Sequence, residues 1–307
     1  MMAKSLKGDS FTNRFRITGQ LTTLTPLHIG TGEEILQESN IETQINENDQ
    51  DNPKISEIVK DGSEKPYIPG SSIRGVMRHW LASILGGISK NWAYTHEYHS
   101  DEFSELSQEN QIIKIRDEFS TLEILFGTPL QQGKVEFWDA NCISSEPQNY
   151  RTVNNSTNPY CYIDTSVAID PTTGTALPHM LYNAEVVYPG VTFELNIVGQ
   201  NLDKQELGIL FLALQGFNSE IFPIRIGARS GRGYGRLKFT FKKVYCLEAA
   251  NINQWALSLI SHFGKNGEME SVIDNQAGYF SLPELLQDDQ DQLIANVKRE
   301  MKQEWGK

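Results

Sequence analysis

The chain has 307 residues, of which 39% are hydrophobic and 10% aromatic, so it can bury the core of one large domain or two ordinary ones. No apolar run approaches the roughly 20 residues of a membrane span, no secretory signal is visible at the N-terminus, and the three scattered cysteines fit neither a disulfide framework nor a zinc site. We therefore expect a cytoplasmic protein without a membrane partner, and the net charge of −12, taken whole, argues against nucleic acid as a partner.

The negative charge is concentrated in two segments. Residues 33–61 hold nine acids against two lysines, and residues 94–123 hold eight acids against two bases. The rest of the chain carries 22 acids and 23 bases, so it is close to neutral. A basic groove can therefore coexist with acidic outer segments.

The first half of the chain begins with a strand, since apolar and polar residues alternate over 11–29. Residues 33–65 are polar and acidic, and they read as a long inserted loop. Ser71 and Ser72 are candidate N-caps for a helix whose apolar residues recur at helical spacing over 73–85.

The second half adds a polar insertion at 88–120, followed by a segment at 122–126 that ends at a glycine. It then adds a strand at 133–143, two strands around a turn at 170–174, a strand at 191–198, a helix at 203–217 and a strand at 237–245. The order of strands and helices is an α+β pattern compatible with a ferredoxin-like core that carries large insertions.

The segment from Gly70 to Arg78 is the first candidate site. A helix that begins there gathers backbone N–H groups and the hydroxyls of Ser71 and Ser72, which together can bind an anion. Arg74 and Arg78 lie one helical turn apart and could each hold a phosphate. The alternative is an ordinary capped amphipathic helix with solvated arginines.

The segment 227–236 is the second candidate site, because it combines four glycines with arginine and with Tyr234. Glycine lets a backbone approach a ligand closely, arginine binds phosphate with two hydrogen bonds, and the tyrosine ring offers a stacking face for a base. With the preceding strand, the arginines of this region are Arg225, Arg229, Arg232 and Arg236. The alternative is a flexible glycine hairpin between two strands.

A strong turn signal between two short strands marks the third candidate site; its residues are Asp170, Pro171, Thr172, Thr173 and Gly174. Tyr150, Arg151, Tyr160, Tyr162 and His179 surround it, so a protruding hairpin could wedge against bases. The alternative is a plain hairpin packed on the body. Asp170, like Asp139 at the end of a strand, reads as a local backbone cap.

Six motifs in this order resemble the RAMP superfamily of CRISPR-associated proteins: TPLHIGTG (25–32), PYIPGSSIRGVMRHWL (66–81), LFGTP (125–129), VEFWDA (135–140), VAIDPTTGTA (167–176) and IGARSGRGYGRL (226–237). The sequence is most similar to the repeated backbone subunit of type III effector complexes, and the resemblance spans about residues 15–245.

The resemblance implies a ferredoxin-like domain of about 10–248 with a β-hairpin thumb at 150–190. The acidic insertions at 33–65 and 88–120 and a helical extension at 249–307 are predicted from the sequence itself, since the resemblance does not cover them. The resemblance also implies a ribonucleoprotein in which such subunits stack along a guide RNA (crRNA) that pairs with a target single-stranded RNA. The helix from Ser71 and the loop near Arg229 would hold guide phosphates, His28 would lie near the RNA, and the hairpin at Asp170 would be the thumb. RNA binding of this kind requires no cofactor.

Many subunits of this family also cut the target RNA through an aspartate upstream of the segment that matches PYIPGSS. Aligned on Lys60 and Asp61, that position is Ile55 here, and the nearest upstream acid is Asp51. The resemblance therefore leaves two functions open, a guide-binding scaffold and a magnesium-dependent endoribonuclease acting through Asp51. A stand-alone guide-processing nuclease is a more distant alternative, which the thumb-like hairpin disfavours.

Overall fold

The structure is a computed structural model, and it describes residues 4–36, 54–96, 103, 105–145, 158–253, 255–256 and 287–305. Its strands are β1 (Asn13–Thr23), β2 (Gly30–Leu36), β3 (Lys54–Ile58), β4 (Tyr67–Ile68), β5 (Val135–Phe137), β6 (Ala140–Asn141), β7 (Cys161–Ile169), β8 (Ala176–Val187), β9 (Thr192–Gln200) and β10 (Leu237–Glu248). Its helices are α1 (Gly70–Leu85), α2 (Gln108–Glu118), α3 (Thr121–Phe126), α4 (Lys204–Gly216) and α5 (Gln287–Trp305). None of the described helices has both the length and the apolar character of a membrane span.

The main sheet has the strand order β10-β1-β9-β5, and every neighbouring pair is antiparallel. Helix α1 connects β1 to β5, and α4 connects β9 to β10. A chain order of strand, helix, two strands, helix and strand, with the fourth strand beside the first, is the ferredoxin-like arrangement. The α+β fold expected from the sequence is therefore confirmed.

The core lies between one face of this sheet and the helices α1 and α4. In β1 the buried positions alternate, with Ile17 and Leu21 pointing to the same side. The helices contribute a continuous set of buried residues: Ile73, Met77 and Leu81 from α1, and Leu207, Leu210, Phe211 and Leu214 from α4. Because only one face of β1 is buried in this way, its polar residues point to the opposite face of the sheet.

A second sheet has the order β2-β3-β8-β7, with β3 parallel to β8. Within the segment 33–65, residues 33–36 belong to β2 and residues 54–58 form β3, which corrects its interpretation as one long loop. Ile55 and Ile58 are buried in this sheet. Their spacing of three residues hides the alternation that marks a strand, and the partner strand β8 lies far away along the chain.

Helix α5 packs along α4 and adds a third helix to the helical layer. The two helices approach closely at Gly208, where an added Cβ would lie 2.6 Å from the Val297 side chain and 2.9 Å from the Leu293 carbonyl oxygen. Ile294 and Val297 are buried in the main core. The amide of Gln205 also donates a hydrogen bond of 2.6 Å to Glu300.

A buried ion pair joins the start of β5 to the first turn of α4. The ammonium of Lys134 lies 2.7 Å from both carboxylate oxygens of Glu206 and 2.8 Å from the hydroxyl of Ser5. Glu206 also accepts the backbone N–H of Asp203 in a capping box. Burial raises the pKa of Glu206 above its usual value, while the Lys134 charge acts against that rise.

Candidate nucleic-acid interface

Helix α1 begins at Gly70, before both of the serines that the sequence offers as N-caps. Its N-cap is Pro69, and no side chain of the Ser71–Ser72 pair caps it, which corrects the expected serine cap. The N–H of Gly70 instead donates a hydrogen bond of 2.7 Å to the carboxylate of Asp139, which confirms Asp139 as a backbone cap. Because this carboxylate already faces the positive end of the helix, an anion at the first turn meets a negative charge.

The two arginines of α1 are held differently. The guanidinium of Arg74 donates two hydrogen bonds to the carbonyl oxygen of Phe126 at the end of α3, one from Nε over 3.1 Å and one from Nη2. Burial, and then the charge of Arg78, lower the pKa of Arg74. The half-exposed Arg78 makes no hydrogen bond or ion pair with the rest of the described chain. Arg74 therefore caps a helix, and Arg78 is the arginine available to a phosphate.

The segment 227–236 folds as a tight loop whose glycines serve two purposes. At Gly227 an added Cβ would lie 2.2 Å from the carbonyl oxygen of His28, and at Gly235 it would lie 2.0 Å from that of Ile226. These two glycines, both at positive φ, are needed for packing within the protein. Gly231 and Gly233 meet nothing within 4 Å, so only they leave the backbone open to a ligand.

Strands β7 and β8 form a hairpin, and Asp164 on β7 connects this hairpin to the loop at 227–236. Its Oδ2 lies 3.3 Å from Nη1 of Arg229 and accepts a hydrogen bond of 2.6 Å from the Tyr234 hydroxyl. Burial, and then the hydrogen bond to the Asp164 carboxylate, raise the pKa of Tyr234 to about 12. The two candidate sites at 170–174 and 227–236 are thus parts of one connected surface.

The other arginines of the loop differ in exposure. Arg225 donates to the carbonyl oxygen of Ser230 over 3.1 Å and pairs with Arg236 in a β-bridge. The Nε atom of Arg236 is buried, and it has no hydrogen-bond partner among the described residues. Arg232 is exposed, and its side chain makes no hydrogen bond or ion pair within the described chain. Arg232 is therefore the loop's arginine best placed to bind phosphate.

His28, which the resemblance places near the RNA, has a buried side chain. Its Nδ1 lies 2.7 Å from the carbonyl oxygen of Glu185, so Nδ1 carries a proton and donates. Its Nε2 lies 3.4 Å from the hydroxyl of Ser56, and its own carbonyl oxygen accepts the N–H of Ala228 over 2.9 Å. His28 therefore supports the loop at 227–236 from beneath.

A second buried charge pair lies beside His28. The ammonium of Lys60 is 3.0 Å from the carboxylate of Glu185, which also accepts the N–H of Ile58 over 3.4 Å. Burial works to lower the pKa of Lys60, but the hydrogen bond and the charge of Glu185 outweigh burial and raise it. This pair anchors β8 to the segment that follows β3.

The hairpin of β7 and β8 ends in an exposed turn at 170–174. The Asp170 carboxylate accepts the Thr172 N–H over 2.8 Å and the Thr173 hydroxyl over 2.9 Å, and these hydrogen bonds lower its pKa. Asp170 is confirmed as a turn cap. Exposed apolar side chains follow both strands, at Val167, Ile169, Leu177 and Leu181.

The aromatic residues expected around this turn lie mostly at the base of the hairpin. Tyr162 stacks on Tyr188 with 4.6 Å between ring centroids, and Tyr160 is buried with its hydroxyl donating to the carbonyl oxygen of Ser144. Tyr150, Arg151 and the side chain of His179 lie outside the described residues. Among the described residues, the exposed apolar side chains near the tip are therefore aliphatic, except for Tyr182 on β8.

A family model described as RAMP superfamily matches residues 20–238, which is more than half of the chain. The chain belongs to the RAMP superfamily. No curated protein matches the sequence. Membership of the RAMP superfamily supports a CRISPR-associated, RNA-binding function, and the matched residues include α1, the hairpin and the loop at 227–236.

The resemblance, aligned on Lys60 and Asp61, predicts Ile55 at the position of a catalytic aspartate. Ile55 is 7% exposed and lies in β3, paired with Ile35 of β2 and Asn183 of β8. Asp51 lies outside the described residues. No group of three metal-binding side chains occurs in the part of the chain that the structure describes. Asp61, further along, accepts the N–H groups of Ser63 and Lys65 and shapes a turn.

Sequence reasoning on this RAMP chain missed Asp164 as a site residue. The residue lies in the middle of β7, without a neighbouring glycine or basic residue that would mark it. Only the pairing of β7 with β8, and the fold of the loop 65 residues later, bring its carboxylate to Arg229.

Proposed function

We propose that the chain is a guide-RNA-binding backbone subunit of a type III CRISPR ribonucleoprotein effector complex, acting in antiviral defence through RNA-guided recognition of target RNA. Its partners are the guide RNA (crRNA), the target single-stranded RNA and other subunits of the complex. The observation that carries the proposal is the connection through Asp164 between the exposed hairpin and the arginine loop. An exposed hairpin that lies next to cationic side chains supports the roles of thumb and guide-binding loop.

The binding mode follows from the side chains that remain available. Arg78 on α1 and Arg232 on the loop offer guanidinium groups to phosphates without reading bases. Recognition of this kind is independent of sequence, because base pairing by the guide selects the target. The exposed hairpin at 170–174 then has room to contact the guide and target from one side.

The test measures guide-RNA binding by the full chain with Arg78→Ala and Arg232→Ala. Each change removes one phosphate contact, so affinity falls for every RNA sequence and the salt slope of log K falls by roughly 0.7. Arg299→Ala, on the exposed face of α5, removes the same charge and serves as the matched control. Unchanged affinity and slope in both site variants would contradict the proposed binding mode.

We further propose that this subunit binds target RNA without cutting it, since a buried Ile55 can neither take a proton nor bind a metal. The competing function is a magnesium-dependent endoribonuclease that acts through Asp51. The deciding experiment is an assembled complex with matched target and magnesium, compared with one that carries Asp51→Ala. Cuts at this subunit's positions that disappear in the variant, with assembly intact, would establish the endoribonuclease instead.

A further inference from the structure

The face of the main sheet opposite α1 and α4 presents a cluster of cationic side chains. On β1, Arg14 and Arg16 occupy the positions that alternate with the buried Ile17. On β10, Lys238, Lys242 and Lys243 are exposed. Their concentration on a single face is unexpected in a chain of net charge −12.

A β-bulge brings two of these lysines together. Lys243 pairs with Thr18 and Phe241 pairs with Gly19, so Lys242 is the extra residue between them. Consecutive strand residues normally point to opposite faces, but at a bulge this alternation is broken. Lys242 and Lys243 consequently line the same cavity, of about 340 Å³.

The cavity has the composition of a nucleotide site. Arg16, Lys242 and Lys243 line it, and Glu194 is the one carboxylate among its lining residues. Tyr245 contributes an aromatic ring and Ile143 an exposed apolar side chain. Its volume falls in the range of small-ligand sites, roughly 300 to 1,000 Å³.

An exposed indole stands beside the cavity. Trp138 is 43% exposed, and the guanidinium carbon of Arg16 lies 5.0 Å from its ring centroid. Arg16 is itself fixed by hydrogen bonds of 3.2 and 2.9 Å to the side-chain oxygen of Asn196. The pair thus presents a positioned cation and an aromatic surface to the same region of solvent.

We propose that this face is a second RNA-binding surface, which takes a single-stranded segment with its phosphates at Lys242, Lys243 and Arg16 and a base on Trp138. Cationic grooves with interleaved aromatic rings bind single strands in this way, without sequence preference. An acidic protein segment would satisfy the lysines but would leave the exposed indole without a function. The surface lies on the opposite face of the sheet from α1 and does not depend on the proposed guide-binding role.

The test uses the full chain and a labelled oligouridine. We expect the double reversal K242E/K243E to lower affinity at least ten-fold and to lower the salt slope by about 1.4, which corresponds to two phosphate contacts. K298E/R299E, on exposed positions of α5, makes the same change of charge and should leave binding within two-fold. Trp138→Ala should weaken binding about five-fold or more with the slope unchanged, because stacking releases no counterions.

Ultraviolet cross-linking of the unmodified chain to the same oligouridine is a second test, and its result does not depend on whether a variant folds. The proposal expects cross-links at Trp138 or Tyr245. It is overturned if K242E/K243E binds oligouridine as the control pair does, or if cross-links map only elsewhere. It is equally overturned if the reversal abolishes binding to other subunits or self-association while oligouridine binding is unchanged, since the face would then be a protein-docking surface.

Discussion

We expect the carboxylate of Asp164 to compete with RNA for Arg229, and Asp164→Asn tests this competition. The substitution keeps the size of the side chain and removes its charge. The wild-type carboxylate lies 3.3 Å from the Arg229 guanidinium and accepts the Tyr234 hydroxyl at 2.6 Å. In the variant, the tyrosine can still donate to an amide oxygen, but the ion pair is lost.

The expected gain in guide-RNA affinity follows from how exposed the Arg229–Asp164 ion pair is. The side chains of Arg229 and Asp164 retain 18% and 25% exposure, so solvent screens their attraction and the pair is worth at most about 1 kcal/mol. Releasing Arg229 to a phosphate therefore strengthens guide-RNA binding by up to about five-fold. One added phosphate contact also steepens the salt slope of log K by about 0.7.

The same substitution has a spectroscopic consequence. The pKa of Tyr234 is raised to about 12 by burial and by the Asp164 carboxylate. Without that carboxylate, the pKa falls toward the usual value of about 10. The shift in the Tyr234 pKa is measured by ultraviolet titration of tyrosinate. In wild type and in Asp164→Asn, the titration of the same protein with Tyr234→Phe is subtracted, so that the difference reports Tyr234 alone.

The binding assay is a fluorescence anisotropy titration of guide RNA at several salt concentrations. Asp170→Asn makes the same chemical change at the hairpin tip, away from Arg229, and serves as the control. Weaker binding by Asp164→Asn with an unchanged salt slope would refute the reasoning. It would mean that Asp164 holds the loop in its binding shape and does not compete with phosphate.

Three further predictions concern stability and the hairpin. Lys134→Met should lower the free energy of unfolding by about 3–5 kcal/mol, because Glu206 is left buried without its cation; a loss below about 1 kcal/mol in urea unfolding would contradict this. Arg74→Ala should cost about 1–2 kcal/mol of stability, since it removes the donor to the carbonyl at the end of α3, whereas Arg78→Ala should leave the melting temperature unchanged. Deleting 168–178 should leave the circular dichroism melt intact but disturb assembly or target pairing, and a collapsed melt would rule out an independent hairpin.

Strand β1 and helix α1 could be predicted from the sequence because each buries one side only. Residues of β1 alternate between core and solvent, and the apolar residues of α1 and α4 recur at helical spacing, so local patterns carry the information. Strand β3 could not be predicted in this way. Its buried Ile55 and Ile58 do not alternate, and its parallel partner β8 pairs with it only through Asn183 and Ala184.

The structure changes the roles expected of several candidate-site residues, and the reason is tertiary. Ser71 has the chemistry of an N-cap, but Asp139, 68 residues later, reaches the helix start and caps it instead. The local sequence predicts that Arg74 binds phosphate, but its guanidinium donates a hydrogen bond to a carbonyl oxygen of α3 instead. In both cases a partner distant in sequence decides the role of a residue whose local pattern is unremarkable.

The buried network around His28 explains why the arginine loop and the second sheet belong to one functional unit. His28 hydrogen-bonds to β8 through its ring and to the loop through its carbonyl oxygen, while Ser56 of β3 approaches its other ring nitrogen. The position of the loop therefore depends on the strands that carry the hairpin. Because Ile55 precedes Ser56 in that central strand, it is fixed in the second sheet by its pairing with Ile35 and Asn183.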